Sequence, residues 1–456
     1  MSPPLRSPNP HIVAVIGGAT AGAEVAARLA NAGARVVVFD MNPRPFGKIE
    51  DGLPRWHEGL RNKEYAAITS KLALPGIEFV PNTKVGRDIP FEELANEWGF
   101  SAVVLANGAW RDRPLPIEGA DQYVGKGLIY QNPFIIYFNH LGEETEPGET
   151  FEFLDDAIVI GGGLASIDVA KVLMLETTRA RLAERGIEAT VLELEVKGIP
   201  RFLALHDLTF ADLGLAGCTI FYRRRVEDMP LVEIPEGADE KRTAKVRASR
   251  AKLLEKAQAK FLFGMEPLSA PDALLVEDGR VVGVRFRRTR IEDGRVVMTD
   301  ETFERRGSCV VSSIGSIPEE IPGIEMKGEL FAFTDWDIGR IEAYPNLFSV
   351  GNVVTGKGNI VASRKHAAEV YNTALESYLG VGDEDGHEGE AGIPIDSEHA
   401  ATQTAHAVIA ALGEAEAPSP DTVASILARV QARQKEVGYG GDLAAWLEQV
   451  KPREHA

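Results

Sequence analysis

Two stretches of this chain set a run of glycines between an apolar, strand-like segment and a helix-like one. The first is His11-Ile-Val-Ala-Val-Ile16, then Gly17-Gly-Ala-Thr-Ala-Gly22, then an Ala/Leu/Val stripe ending near Asn31. The second is Ala157-Ile-Val-Ile160, then Gly161-Gly-Gly-Leu-Ala-Ser166, then Ile167 to Leu175. Glycine lets the backbone turn tightly and approach a pyrophosphate, while the free N–H groups and positive dipole end of the following helix hold its charge. Each stretch therefore predicts a βα turn of the dinucleotide-binding kind, and the pair predicts an α/β chain with two Rossmann-like domains.

The surroundings of the two turns differ. After the first, Arg35-Val-Val-Val-Phe39 predicts a second strand that ends in Asp40. A carboxylate roughly 20 residues beyond the glycines can accept hydrogen bonds from a ribose. The second turn has no acid in the matching place. Its later strand, Cys218-Thr-Ile-Phe-Tyr222, ends instead in Arg223-Arg224-Arg225. A guanidinium cluster there suits the 2′-phosphate of NADP. Two such sites in one chain suggest a flavin at one and a nicotinamide at the other, exchanging a hydride.

The chain has 456 residues, beyond the roughly 250–300 at which single cores stop growing, so at least two domains are expected. A hydrophobic share of 44% and a charged share of 26% are ordinary for a globular protein. No apolar run reaches the ~20 residues of a membrane span. The Pro-rich start, Met1 to Pro10, lacks the apolar stretch of a signal peptide, which predicts a cytoplasmic location. A net charge of −19 opposes nucleic acid and anionic membranes as partners. One segment runs against that balance: Lys241, Arg242, Lys245, Arg247, Arg250, Lys252, Lys256 and Lys260 fall on one predicted helix, read either as a solvated face or as a docking surface for an acidic protein. Arg285-Phe-Arg-Arg288 is a second dense positive cluster. Cys218 and Cys309, the two cysteines, form no C-x-x-C pair. Their scarcity argues against a flavoprotein disulfide reductase and against an iron–sulfur cluster of the chain's own, and no metal site is predicted.

Along the chain, Ala102 to Gly108 predicts a buried strand ending at a glycine turn, and Pro114 to Gly119 a way out of the first domain. Lys171 to Leu213 predicts a long helix-rich passage. The Asp278-Gly279 and Asp293-Gly294 turns between β-rich runs predict an antiparallel meander over residues 274–297. Ser308 to Gly315 and Leu347 to Asn352 return to strands ending in glycine turns, and Gly356-Lys-Gly-Asn-Ile360 precedes a helix containing His366 to Tyr378. An acidic linker, Gly382 to Gly392, leads to two helices near residues 398–412 and 420–436.

The run Pro45-Phe-Gly-Lys-Ile-Glu-Asp-Gly-Leu-Pro-Arg-Trp-His57, with Arg61-Asn62 after it, resembles without gaps the flavin-side motif of adrenodoxin-reductase-like ferredoxin:NADP reductases. Asn82 to Asp88, Leu128 to His140, the second glycine turn with Asp168, the Arg223-Arg224 pair and Val311 to Gly315 follow in that family's order. The resemblance spans roughly residues 11–380, and Tyr222-Arg-Arg with Met229-Pro230 also resembles the glutamate synthase small subunit.

The resemblance implies an FAD-binding domain over residues 11–120 and 320–380, an inserted NADP-binding domain over 121–319, and an acidic linker and helical tail over 381–456. It implies FAD contacts from Gly17, Ala19, Gly22, Asp40, Gly47, Val85, Asn107, Gly108, Gly351, Asn352, Gly358, Asn359 and Ile360. NADP contacts are implied from Gly161, Gly163, Leu164, Ala165, Arg223 and Arg224. Ala19 replaces a motif glycine, Asn107 a threonine or tyrosine, Asn352 a Trp or Asp, and Leu164 an Asn. Three residues are implied at the chemistry. His57 reads as a proton shuttle beside the flavin or as a capping group. Asp168 reads as part of a nicotinamide pocket or as an acid stabilised by a helix dipole. Glu233 matches a family glutamate beyond the arginine pair.

The expected protein is an NADPH-oxidising FAD enzyme, monomeric or homodimeric, that exchanges electrons with a ferredoxin-type protein. Two other readings are a flavoprotein subunit like the glutamate synthase small subunit and a non-catalytic flavoprotein scaffold or sensor.

Overall fold

The computed structural model describes residues 11–144, 148–235, 237–355, 378–379, 381 and 397–453. The short Val/Ile runs at the start of the chain form a five-stranded parallel sheet in the order Leu347–Ser349, Ala102–Leu105, Ile12–Ile16, Arg35–Phe39, Ile77–Val80. A parallel sheet is covered on both faces, so its central strands are apolar throughout rather than alternating. Ile12–Ile16 and Ala102–Leu105 are buried at every position. The second sheet is also parallel and five-stranded, in the order Leu128–Tyr130, Val310–Ser313, Ile158–Gly161, Thr219–Tyr222, Gly264–Pro267. The chain leaves the first sheet along Arg111–Asp112 and returns along Ser316–Ile317, and these two segments pair with each other.

The meander lies where the Asp-Gly turns place it: Ser269–Glu277, Arg280–Glu292 and Arg295–Arg306 pair antiparallel. Asp278, Gly279, Asp293 and Gly294 all take positive φ, between 48° and 76°, the geometry of a two-residue hairpin turn whose twist matches the strands. Phe286 of the meander stacks on Phe221 of the second sheet at 4.2 Å between centroids, which fixes one layer on the other. The cluster at residues 285–288 is not a free positive patch. Arg285 and Arg287 both pair with Asp272, and Arg288 pairs with Glu266.

Three C-terminal helices, Ser397–Glu414, Pro420–Glu436 and Leu443–Gln449, cover the first sheet, where two were expected as an appended tail. Ala401, Ala405, Val408 and Leu412 share a core with Val25 and Leu29, while Ile426 and Val430 join the core on the opposite face. Gln434 Nε2 donates to the Phe79 carbonyl (2.9 Å), Arg433 to the Asn82 carbonyl (2.9 Å), and Trp446 Nε1 to the Pro43 carbonyl (2.7 Å). At about 1.5–3 kcal/mol for each fully buried large apolar side chain, these helices are a structural part of the first unit.

His140 ties the helix Gln131–His140 to the short helix Lys48–Asp51, with Nε2 2.9 Å from Asp51 Oδ1 and Nδ1 2.8 Å from Glu143 Oε2. Burial alone would lower its pKa, but the two carboxylates outweigh it and raise it from 6.5 to about 9. A raised imidazole pKa contributes stability that is complete below pH ~6.5 and is lost as pH rises through about 9. His140→Gln should therefore cost on the order of 2 kcal/mol at pH 6 and much less at pH 10. Denaturant midpoints of both proteins across that range check this.

Candidate functional site: a glycine-lined cleft and a second glycine turn

The first glycine turn is built by close approach. Gly17 has φ +104°, and a Cβ there would lie 2.5 Å from the Ala106 carbonyl oxygen. A Cβ on Gly22 would lie 1.8 Å from the Gly17 carbonyl oxygen, so the helix Thr20–Asn31 can pass the turn only without a side chain at that point. Ala19 sits at the N-cap with no side-chain hydrogen bond, which leaves the first helical N–H groups available to an anion. The alanine methyl in place of a glycine is accommodated beside Gly47, whose own Cβ would come within 2.9 Å of it.

The turn opens into a cleft lined by Gly17, Ala19, Asp40, Gly47, Val85, Asn107, Gly108, Gly351 and Asn352. Nine of the residues expected at the flavin thus face one space. Glu233, expected at the chemistry, lines the same space, as do Lys48, Trp110 and Glu320. Gly358, Asn359 and Ile360 lie outside the described residues. Asp40 braces the turn: Oδ2 accepts from the Gly18 N–H (2.7 Å) and Oδ1 from the Asn42 N–H (2.9 Å). Burial raises its pKa to about 6 against the pull of those two N–H groups. Asn107 Oδ1 is buried with no hydrogen-bond partner. An unpaired buried acceptor on a cleft wall carries a cost that a bound ligand's donor removes. The glycine cradle, the carboxylate and this orphan acceptor fit FAD.

The second turn repeats the construction. A Cβ on Gly161 would lie 2.3 Å from the Ser313 carbonyl oxygen, and Gly162 is closed over by the Tyr222 ring. Gly163 is open, with nothing within 4 Å of its would-be Cβ, and it caps the helix Leu164–Ala183 without a side-chain hydrogen bond, so Leu164 and Ala165 present free N–H groups. Arg225 is taken by Asp228 (2.7 Å). Arg224 donates one bond to the Gly294 carbonyl (2.9 Å), and Arg223 is exposed with no side-chain hydrogen bond among the described residues. Two guanidiniums therefore remain for an anion. These groups fit an NADP-type dinucleotide.

His57 and Asp168 are brought together in a buried cluster apart from the cleft lining. His57 Nε2 accepts from Trp56 Nε1 (3.0 Å), and its ring stacks on Tyr378 at 4.5 Å and 14°. Burial, with the Lys171 ammonium and Arg61 guanidinium nearby, holds it well below the ordinary imidazole range, so it is neutral with its proton on Nδ1. Tyr378 donates its hydroxyl to Asp168 Oδ2 (2.7 Å), while Oδ1 is buried without a partner. Burial raises Asp168 to about 6, with Lys171 and Tyr378 opposing. Lys171 is fully buried between the Trp56 and Phe261 rings and donates to Glu195 (2.9 Å). Lys171, Tyr378 and Trp110 were not singled out in the sequence. A lysine inside an otherwise apolar helix face was the one visible signal.

Cys218 and Cys309 are both buried free thiols. Burial pushes Cys309 up to about 11 and Cys218 higher still, so neither is a redox-active thiolate. Among the described residues no helix is long and apolar enough to cross a membrane, and no cluster of His, Cys, Asp and Glu could hold a metal ion.

The family described as "Pyridine nucleotide-disulphide oxidoreductase" matches residues 11–202. The chain is 25% identical over 410 residues to "NADPH:adrenodoxin oxidoreductase, mitochondrial" of Arabidopsis thaliana, covering 80% of this chain and 81% of that protein. It is 27% identical to "Cindoxin reductase" of Citrobacter braakii, covering 80% and 77%. Among solved structures, Mycobacterium tuberculosis FprA in complex with NADPH superposes with a TM-score of 0.67 at 21% identity, over 94% of this chain and 91% of that one.

Proposed function

We propose that this chain, an oxidoreductase of the adrenodoxin reductase and FprA type, oxidises NADPH through FAD and passes the electrons singly to a ferredoxin-type iron–sulfur protein. The observation that carries the reading is the pair of glycine turns, one opening on a cleft with a ribose-type carboxylate and an orphan acceptor, the other facing two unneutralised arginines. Bound FAD supplies a centre that takes two electrons as a hydride and gives them up one at a time.

The chain's own residues bind and orient. The N-terminus of the helix Thr20–Asn31 holds the flavin pyrophosphate, and Asp40 accepts from its ribose while keeping the turn closed. Gly163 and the following N–H groups hold the second pyrophosphate, with Arg223 and Arg224 on the 2′-phosphate. Asp168 Oδ1 offers a buried acceptor to the nicotinamide amide, and His57 keeps its proton on Nδ1 behind it. Both thiols are free and buried, with pKa values pushed up by that burial, so they offer no reactive dithiol to receive the electrons, which favours an external one-electron acceptor. The names of the Arabidopsis and Citrobacter relatives, adrenodoxin and cindoxin reductases, support an iron–sulfur partner.

The basic helix Glu240–Phe261 favours a docking role over a merely solvated face. Arg250 is buried and holds the Val232 carbonyl, and Arg247 lies 3.7 Å from Asp228. Lys241, Lys245, Lys252 and Lys256 are exposed and fall within about 60° of arc at 3.6 residues per turn. A one-sided positive stripe on a chain of charge −19 reverses the local field for an acidic partner, with an effect on association that fades beyond a Debye length of about 8 Å. Replacing Lys241, Lys245 and Lys252 by glutamate should slow ferredoxin reduction about tenfold or more at low salt, with reduction of the flavin by NADPH unchanged. Partner reduction that keeps its native rate and salt dependence in this variant would place docking elsewhere.

A further inference from the structure

Three cations line the flavin-side cleft, and two of them are neutralised: Lys84 pairs with Glu319 at 2.6 Å and Arg87 with Asp88 at 2.8 Å. The third is Lys48, which has no carboxylate within ion-pair distance among the described residues. Its Nζ donates to Asn132 Oδ1 (3.1 Å) and Ser316 Oγ (3.0 Å) and lies 5.6 Å from the centre of the Trp110 ring. Neutral acceptors fix the ammonium in place without cancelling its charge. Burial lowers its pKa to about 8, with Asp112 and Asp51 opposing, so it remains mostly charged at neutral pH.

Its position is built from both halves of the molecule. Lys48 follows the second strand of the first sheet. Asn132 begins the helix after Leu128–Tyr130, and Ser316 follows Val310–Ser313, both strands of the second sheet. In open parallel sheets ligands bind beyond the carboxyl ends of the strands, and here the ammonium spans those ends of the two sheets. The Asn132 amide cannot turn its oxygen away, because Nδ2 is committed as donor to the Trp110 carbonyl (2.9 Å) and the Ser316 hydroxyl (3.1 Å). The Asn132 backbone N–H is anchored on Asp112. Two rings that exchange a hydride must meet between the two dinucleotide sites, and Lys48 joins residues that follow strands of both sheets.

We propose that Lys48 sets the reduction potential of the flavin, its ammonium stabilising the negative charge the isoalloxazine gains when it accepts a hydride, one proton with two electrons, from NADPH, which becomes NADP⁺. Charge placed near the ring nitrogens is the protein's main lever on a flavin's electronics. The inference rests on the reading that the cleft holds FAD. It assigns to Lys48 a role as a tuning group that neither binds the substrate nor moves its proton.

The test is the midpoint potential of the FAD-loaded protein, measured by anaerobic spectroelectrochemistry, in the native chain and in Lys48→Met, Lys48→Arg and Lys48→Gln. Lys48→Met should favour the oxidised flavin about tenfold, a fall of about 30 mV for a two-electron couple. Lys48→Arg should keep the native value. Lys48→Gln, which keeps a polar donor toward Asn132 and Ser316 without the charge, should lower it as Lys48→Met does, and this variant carries the test even if Lys48→Met does not fold. A merely structural Lys48 would alter FAD affinity and leave the potential where it was. Equal potentials in the native protein, Lys48→Met and Lys48→Gln, all with FAD bound, overturn the proposal. A native protein that takes up no FAD overturns instead the reading of the cleft on which it rests.

Discussion

Gly22→Val should yield a folded protein that carries no flavin and takes none up. The native backbone brings the Gly17 carbonyl oxygen to 1.8 Å from where the new Cβ must sit, a contact no rotamer relieves because it involves Cβ itself. The helix Thr20–Asn31 has to move off the turn by more than an ångström, and the N–H groups that would hold the pyrophosphate move with it. Misplacement on that scale removes several hydrogen bonds to a charged group, each worth about 1.5–3 kcal/mol, so affinity should fall by at least a thousandfold. Flavin absorbance of the purified variant and equilibrium titration with added FAD give the answer. Native-like FAD binding by Gly22→Val would mean that the dinucleotide does not lie along this turn. The core strands do not depend on this residue, and far-ultraviolet circular dichroism should remain close to native.

Replacing Arg223 and Arg224 together by alanine should raise the dissociation constant for NADPH by about a hundredfold, on the scale of two lost charge-assisted bonds, and leave that for NADH nearly unchanged. The expectation follows from what the neighbouring groups leave available. Asp228 occupies Arg225, whereas Arg224 spends one nitrogen on the Gly294 carbonyl and Arg223 spends none. Arg225 should thus contribute little to this discrimination. A native protein that uses both nucleotides equally, or a double variant that loses NADH binding in step with NADPH, contradicts the assignment.

Much of this architecture is carried by local rules. Glycine turns between an apolar strand and a helix can be read directly, because the positions where a Cβ cannot fit are also the positions where the chain must turn. Asp40 is legible for the same reason, as a carboxylate at the end of the adjacent parallel strand. The Asp-Gly turns place the meander because both residues adopt positive φ cheaply.

What could not be read depends on partners distant in sequence. Arg285, Arg287 and Arg288 form a positive cluster in the sequence, and only the fold brings Asp272 and Glu266 against them. The C-terminal helices look like an appendage because their apolar stripes are ordinary, and nothing local says that Trp446 will reach the Pro43 carbonyl. His57 and Asp168 are joined through Tyr378, which lies more than two hundred positions from either. Lys48 was written inside the run Pro45 to His57, yet its chemistry became visible only when Asn132 and Ser316 closed around its ammonium.

The central claim is tested most directly by anaerobic titration of the FAD-loaded protein, first with NADPH and then with an oxidised ferredoxin. The account predicts that one equivalent of NADPH bleaches the visible flavin band, that the same amount of NADH does so far more slowly, and that ferredoxin then restores the band as two equivalents of it are reduced. A flavin that stays oxidised in NADPH, or one that NADPH reduces but ferredoxin leaves bleached until oxygen is admitted, would contradict it.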